Sequence, residues 1–262
     1  MLRIRTVEMP VPASPKGALE AFLDAASAGS QPDVVILPEL FAMGYVLDKL
    51  KKMAVTEESM LASAAPAFAR AHRCWLIAGT WPMKTESGLK NTLLVFNPEG
   101  KLIHRNEKAH LFRQMGEETV FAPGTPTGPF DLDGTRAGSV ICYDLRFPEL
   151  SRNLTLAGAG VVFVPAQWPE ARRDLFRSLL RARSAEAQVF YVGCNIGGTH
   201  LGVKFGGGGG VAHPSGSLLD PVETRGEVRD YIIDPADIGR TRKKIDCLRD
   251  RRPEIYNQEG KR

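Results

Sequence analysis

Residues 33–40 read DVVILPEL, and residues 161–168 read VVFVPAQW. Each is a run of apolar, mostly β-branched residues that ends near a proline. A sheet with one wet face would place a polar residue at every second position. A run with none belongs to a strand buried on both faces, so part of this molecule is a sheet covered on each side. The neighbouring sequence supplies the covers. Amphipathic, helix-forming stretches at 15–28, 57–73, 148–160 and 172–188 alternate with strand-like stretches at 2–9, 74–81, 91–108, 131–142 and 189–196. The 91–108 stretch is a hairpin turning at NPEG, and 131–142 is a second hairpin. Hairpins over 206–220 and 228–235 and a closing helix over 236–245 complete the pattern. The chain therefore reads as α/β with hairpins mixed in. No linker, composition break or repeat divides it. One domain over 1–262 is expected, with a C-terminal arm from about residue 236.

Composition narrows the function classes. The chain has 262 residues, 43% of them hydrophobic, enough for a core that needs neither disulfides nor a metal. The four cysteines (74, 142, 194 and 247) form no CxxC, and the five histidines flank no cysteine pair, so no zinc spacing exists. Reduced thiols and no metal are expected. The net charge of +4 comes largely from RTRKK and RDRR near the C-terminus. That reads as a solvated basic tail, since a nucleic-acid face would interleave aromatics on a recognisable module. No apolar run approaches the roughly 18 residues that span a bilayer, and the N-terminus has no signal-peptide core. The expectation is a soluble, cytoplasmic protein that binds neither nucleic acid nor membrane. The five glycines 206–210 lack the G-x-x-x-x-G-K-[ST] spacing of a phosphate loop. They read as a flexible or closely packed hairpin.

Three apolar strands end in reactive groups: Glu39 in VVILPELFAMGY, Lys108 in NEKAHLF and Cys142 in GSVICYDLRFPEL. Ligands of such sheets bind beyond the carboxyl ends of the strands. Gathered there, the carboxylate can take the thiol proton, the thiolate can attack a carbonyl or nitrile carbon, and the ammonium can stabilise the developing charge. Taken singly, each has a plainer account: a buried structural thiol, a charge at a helix N-terminus and a solvated lysine.

The blocks ILPELF, EKAHLF and ICYDLRFPEL resemble the signature blocks of the nitrilase, or carbon–nitrogen hydrolase, superfamily. Lys108 stands 69 residues after Glu39 and 34 before Cys142, which also fits. Further likeness lies in LLRARSAEAQVFYVGCN, FGGGGGVAHPSGSLL and RDRRPEIY, so it runs from about Leu2 to Tyr256. The resemblance implies a four-layer αββα sandwich and a catalytic triad of Glu39, Lys108 and Cys142. It also implies a second carboxylate nine positions after the lysine, at Glu117, with Glu118 adjacent. Cys142 would then sit on a turn between strand and helix, with a logic like that of a nucleophile elbow. The amides of the following turn would favour its thiolate, and the Tyr143 amide would join Lys108 in an oxyanion hole. A papain-like pairing with His110 is set aside.

Within the superfamily, PAQWPEARRDLFRSLLRARSAEAQ resembles the omega-amidase-like branch, which hydrolyses the terminal amide of 2-oxo-acid amides. The likeness rests on Gln167, Trp168, Pro169 and Arg172. Substrate-binding candidates are Phe41, Tyr45, Phe112, Gln167 and Trp168, with Arg113 and Arg172 for a substrate carboxylate. GGGGGVAHPSGS replaces a more polar turn of that branch, so another amidase, a carbamoyl-amine hydrolase and a nitrilase stay open as alternatives. A catalytically silent scaffold and a redox-thiol protein are the readings from other classes. The resemblance also implies a homodimer or larger homo-oligomer, formed through the helices around 149–160 and 172–188, and no organic cofactor.

Overall fold

The computed structural model describes residues 1–256, so 257–262 of the expected C-terminal arm lie outside it. In chain order the elements are β1 (Leu2–Val7), α1 (Ala18–Ser27), β2 (Val34–Ile36), α2 (Leu47–Lys52), α3 (Glu57–Leu61), α4 (Ala64–Ala71), β3 (Trp75–Thr85), β4 (Gly88–Phe96) and β5 (Leu102–Glu107). There follow β6 (Phe130–Leu132), β7 (Thr135–Ser139), α5 (Pro148–Leu156), β8 (Val161–Ala166), α6 (Arg173–Ala187) and β9 (Phe190–Asn195). The last are β10 (Gly197–His200), β11 (Val203–Gly206), β12 (Gly210–Ala212), β13 (Glu223–Arg225), β14 (Val228–Ile233) and α7 (Ala236–Lys244).

Seven strands form one sheet in the order β13-β14-β1-β2-β3-β4-β5, and five form another in the order β12-β9-β8-β7-β6. The apolar runs explain how the sheets stack. In the seven-stranded sheet Val34, Ile36, Trp75, Ile77, Leu93 and Val95 join a core shared with Val162, Phe163, Val192 and Val211 of the other sheet. Their alternates Val35, Leu37, Leu76, Leu94 and Phe96 pack instead against Leu19, Phe22 and Leu23 of α1 and Phe68 of α4. Phe176 and Leu180 of α6 cover the far side of the five-stranded sheet. The result is a four-layer αββα sandwich. Each such side chain contributes about 1.5–3 kcal/mol by leaving water.

The helix expected over 57–73 is two helices. Thr56 caps α3, exchanging hydrogen bonds with Ser59, and the Ser63 hydroxyl accepts from the Ala65 amide to start α4 afresh. Pro66 therefore lies in a first turn, where it breaks no helical bond. α2 is an addition that the sequence reading lacked.

The glycine run has a packing cause. The amides of Gly208 (3.2 Å) and Gly209 (2.8 Å) donate to the buried carboxylate of Glu8, as does Asn195 N–H at 3.3 Å. A Cβ on Gly209 would overlap the Gly193 carbonyl and Glu8 Oε1, so only glycine lets the backbone come this close.

Candidate active site

β1–β2–β3 and β7–β8–β9 are parallel ladders, and β5 runs with β3 because both are antiparallel to β4. Glu39 follows β2, Lys108 follows β5, Cys142 follows β7, and Gln167 and Trp168 follow β8. The strand-end pattern thus brings groups from both sheets to one end of the sandwich.

Lys108 Nζ lies 2.8 Å from Glu39 Oε1, 2.9 Å and 2.8 Å from the two oxygens of Glu117, and 3.1 Å from the Tyr45 hydroxyl. The lysine, Glu39 and Glu117 are all buried. Burial alone would lower the lysine's pKa, but the Glu39 and Glu117 charges overcome it and leave it raised. Burial raises the Glu117 carboxyl, with Lys108 pulling it back. Glu117 also accepts from the Phe112 amide at 2.6 Å. Glu117, rather than the more exposed Glu118, is therefore the carboxylate on the lysine. Asn91, in β4, donates to Glu39 Oε1 (2.9 Å) and Glu117 Oε1 (3.1 Å) and holds the two carboxylates together. Among the described residues the second Glu39 oxygen, Oε2, has no hydrogen-bond partner.

Cys142 opens a short 3-10 turn (Cys142–Arg146) with φ of 49°, a left-handed conformation that costs a non-glycine residue strain. Leu40, immediately after Glu39, is also left-handed at 42°, and the Thr80 hydroxyl accepts from its amide at 3.0 Å. The first bond of the Cys142 turn runs from the Asp144 amide to the Ile141 carbonyl (2.9 Å). The Cys142 and Tyr143 amides precede that bond and take no part in it. The expected stabilised thiolate is not what the environment gives. Burial holds the thiol pKa well above normal and the Glu39 charge raises it further, while Lys108 and the Gln167 amide only partly oppose them.

Cys142 faces a narrow cleft bounded by Tyr45, Phe112, Met115, Tyr143, Arg146, Gln167, Trp168, Pro169 and Arg172. Of the five expected substrate contacts, Tyr45, Phe112, Gln167 and Trp168 line it. Phe41 does not: it is fully buried between Phe22 (4.6 Å between ring centroids) and Trp81 (5.2 Å), because the left-handed Leu40 turns it into the core under α1. Arg113 borders the outer basin next to the cleft rather than the cleft itself. His110 stacks on Phe147 at 3.6 Å and its Nδ1 lies 2.9 Å from Asp144, away from the thiol chemistry.

The sequence reading gave no role to Asn91 or Arg146, and it named Arg172 only as a candidate for a substrate carboxylate. Asn91 lies within a strand. Arg146 lies four residues after the cysteine, its guanidinium 4.8 Å from the Trp168 ring and 5.9 Å from that of Tyr143. Arg172 lies 5.7 Å from the Phe112 ring. Among the described residues neither arginine forms an ion pair. Both polar atoms of the buried Gln167 side chain also lack a partner. Among the described residues, no cluster of three or more His, Cys, Asp or Glu is arranged to hold a metal, and no helix is long and apolar enough to cross a membrane.

A sandwich whose strand ends bring together a thiol, two carboxylates and an ammonium is the arrangement of a carbon–nitrogen hydrolase. The sequence profile of that family, described as Carbon-nitrogen hydrolase, matches residues 10–243, and the chain belongs to this family. It is an amidase-type hydrolase of carbon–nitrogen bonds. It is 36% identical over 225 residues to the 2-oxoglutaramate amidase of Bacillus subtilis (strain 168), covering 86% of each chain. The carbon-nitrogen hydrolase from Helicobacter pylori G27 shares the fold, with a TM-score of 0.91 at 20% identity over 100% of this chain and 98% of that one. The amidase from Nesterenkonia sp. AN1 superposes with a TM-score of 0.79 at 25% identity, over 97% of this chain and 95% of that one. That structure is of a Glu-to-Gln mutant of the amidase, in which the acetamide moiety of fluoroacetamide is covalently added at the active-site cysteine.

Proposed function

We propose that the cleft hydrolyses the terminal amide of a small 2-oxo acid that carries a free carboxylate, with Glu39, Lys108, Cys142 and Glu117 as its machinery. One observation carries the substrate reading. The cleft around Cys142 pairs aromatic walls with two guanidiniums, Arg146 and Arg172, that have no carboxylate partner. A neutral amide leaves both charges unused; an acyl chain ending in a carboxylate does not. The similarity to a 2-oxoglutaramate amidase supports the same reading.

The chemistry follows from the protonation states. Glu39, through its unpartnered Oε2, takes the proton of the resting thiol as sulfur attacks the amide carbon. The carbonyl oxygen gains charge and is held by Lys108 Nζ and the Tyr143 amide. Glu39 returns the proton to the nitrogen, the C–N bond breaks, ammonia leaves, and a thioester remains on Cys142. Water, deprotonated by Glu39, attacks the thioester, and the acid departs as the sulfur regains its proton. Glu117 keeps Lys108 charged and aimed, through bonds of 2.8 and 2.9 Å.

The test is ammonia release from 2-oxoglutaramate, succinamate, a simple neutral amide, a carbamoyl amine and a simple nitrile, with Cys142→Ala alongside. Carboxylate-bearing amides should be preferred by about a hundredfold over neutral ones, the worth of one or two charge-assisted contacts. Equal turnover of neutral amides, or turnover surviving in Cys142→Ala, would overturn the reading. The outward-facing Leu156 (53% exposed) of α5 and Leu175 (42%) of α6 support a homodimer through these helices, which light scattering would test. Four free cysteines support a reducing, cytoplasmic setting.

A further inference from the structure

A second cleft, polar and of about 350 Å³, lies behind the active-site wall. Its floor is the glycine loop, and its sides are α6 and β14. Arg173 and Arg177 stand one helical turn apart on α6 and so share a face. Arg229 and Tyr231 alternate along β14 and also share a face. The loop is shaped to admit these groups. A Cβ on Gly208 would overlap the Arg173 stem, so the absence of a side chain there lets the arginine lie across the loop.

The charges inside are unequally used. Glu8 pairs with Arg229 and accepts from three backbone amides, so its carboxylate is satisfied within the protein. Asp174 also borders the cleft, but its side chain is 97% exposed and its carboxylate comes no nearer to Arg173 than 4.0 Å. Among the described residues Arg177 makes no ion pair or hydrogen bond, and Arg173 reaches a carboxylate only at 4.0 Å, in the neighbouring Asp174. Tyr231 is 4% exposed, lines the cleft, and its hydroxyl has no protein partner among the described residues. A phenol hydroxyl that opens on the cleft without a protein partner among the described residues, and two guanidiniums with no carboxylate nearer than 4.0 Å, make a donor set at one opening. None of these groups reaches the thiol, and the active-site mechanism uses none of them.

The geometry points to a binding site for a small oxyanion, phosphate or carboxylate, held by Arg173, Arg177 and the Tyr231 hydroxyl. Guanidiniums bind either group through paired N–H donors, and the phenol adds a third direction. The site backs onto the active-site wall. Asn195 bonds both ways to the Trp168 backbone (2.7 and 3.0 Å), donates to the Gly207 carbonyl (2.8 Å), and its amide reaches Glu8.

The test is calorimetric titration of inorganic phosphate and, separately, of succinate into the full-length protein. At least one should bind saturably, and its Kd should rise at least about tenfold in Arg173→Gln/Arg177→Gln and several-fold in Tyr231→Phe, the loss of one charge-assisted contact or more. Arg177→Lys, which keeps the charge but loses the paired donors, should lie between. It also gives a readout if the double variant fails to fold. Cys142→Ala should bind as the wild type does. Phosphate alone would mark a tetrahedral anion, succinate alone a carboxylate. The inference fails if neither anion binds below about 20 mM, weaker than any useful affinity. It also fails if binding survives all the α6 and β14 variants, or if it is lost in Arg146→Gln but kept in the α6 variants, which would assign the anion to the catalytic cleft.

Discussion

The molecule buries two clusters of opposite charges, and they are built to different ends. Arg5 and Asp230 are both fully buried between β1 and β14. Arg5 Nε and Nη2 each reach Asp230 at 2.7 Å, and its other donors go to the carbonyls of Ala26 and Ser30. Arg3 (3.4 Å) and Arg225 (3.7 Å) also approach Asp230, so both charges of the Arg5–Asp230 pair are answered inside the protein. At the strand ends, Lys108 is held by the charges of Glu39 and Glu117, its third direction going only to the neutral Tyr45 hydroxyl at 3.1 Å, and Glu39 keeps one oxygen unanswered among the described residues. An unsatisfied buried carboxylate oxygen is destabilising, of the order of 1–3 kcal/mol. The comparison teaches that the same ion-pairing chemistry serves structure when it is complete and catalysis when one acceptor is left open towards a thiol.

The contrast breaks most sharply by substitution. Glu39→Gln should lower ammonia release by about 10³-fold or more, as expected for a lost acid–base group, while urea unfolding stays close to wild type. Arg5→Met should do the reverse: it removes the fully buried partner of Asp230 and leaves only the longer contacts to Arg3 (3.4 Å) and Arg225 (3.7 Å), so it costs about 2–3 kcal/mol in unfolding free energy and leaves kcat of the folded fraction unchanged. If Arg5→Met abolished turnover in protein shown to be folded, the division into structural and chemical clusters would be wrong. Glu117→Gln should fall between, lowering kcat by about 10- to 100-fold with little change in KM, because it mispositions Lys108 without touching substrate.

Smaller effects sharpen the picture. Gln167→Leu removes two buried polar atoms that have no protein partner, so thermal unfolding should show unchanged or slightly higher stability. KM should nevertheless rise about tenfold, the worth of one hydrogen bond to substrate. The smallest effect concerns acid. Burial against Phe130 lowers the His104 pKa to about 4. The unfolded chain takes up a proton there near its ordinary pKa of about 6.5, while the folded one does not. This contribution to stability is therefore intact above about pH 6.5 and is lost progressively as pH falls to about 4. His104→Gln should flatten that limb by about 1 kcal/mol, discounted for a partly exposed ring.

The sequence revealed most where chemistry and strand ends coincide. Glu39, Lys108 and Cys142 each terminate an apolar run, and parallel strands deliver such residues to one edge. A sheet covered on both faces was legible for a related reason, since VVIL and VVFV are apolar throughout, whereas the four layers followed from the resemblance to the family. What the sequence hid depends on through-space contacts. Asn91 is one polar residue in a strand until its amide is seen bridging two carboxylates. Phe41 looked like a cleft residue because it lies two positions after Glu39, but the left-handed Leu40 redirects it into the core. The thiol's burial was hidden for a similar reason: a turn's amides are visible in the sequence, whereas the desolvation that raises the thiol pKa is not. The break between α3 and α4 was readable in hindsight from Ser63, a capping residue inside an otherwise helical pattern.

Asp144 gives the sandwich a property that neither sheet has alone. Its carboxylate accepts from the amides of Ala109 (3.4 Å) and His110 (2.8 Å), just beyond Lys108, and from Ile141 (3.3 Å), just before Cys142. Lys108 leaves the seven-stranded sheet and Cys142 leaves the five-stranded one. One buried side chain thus rivets the two exits together. If the layers slide or swell slightly, nucleophile and ammonium travel as a unit, and the spacing between reacting atoms is insulated from the breathing of the core.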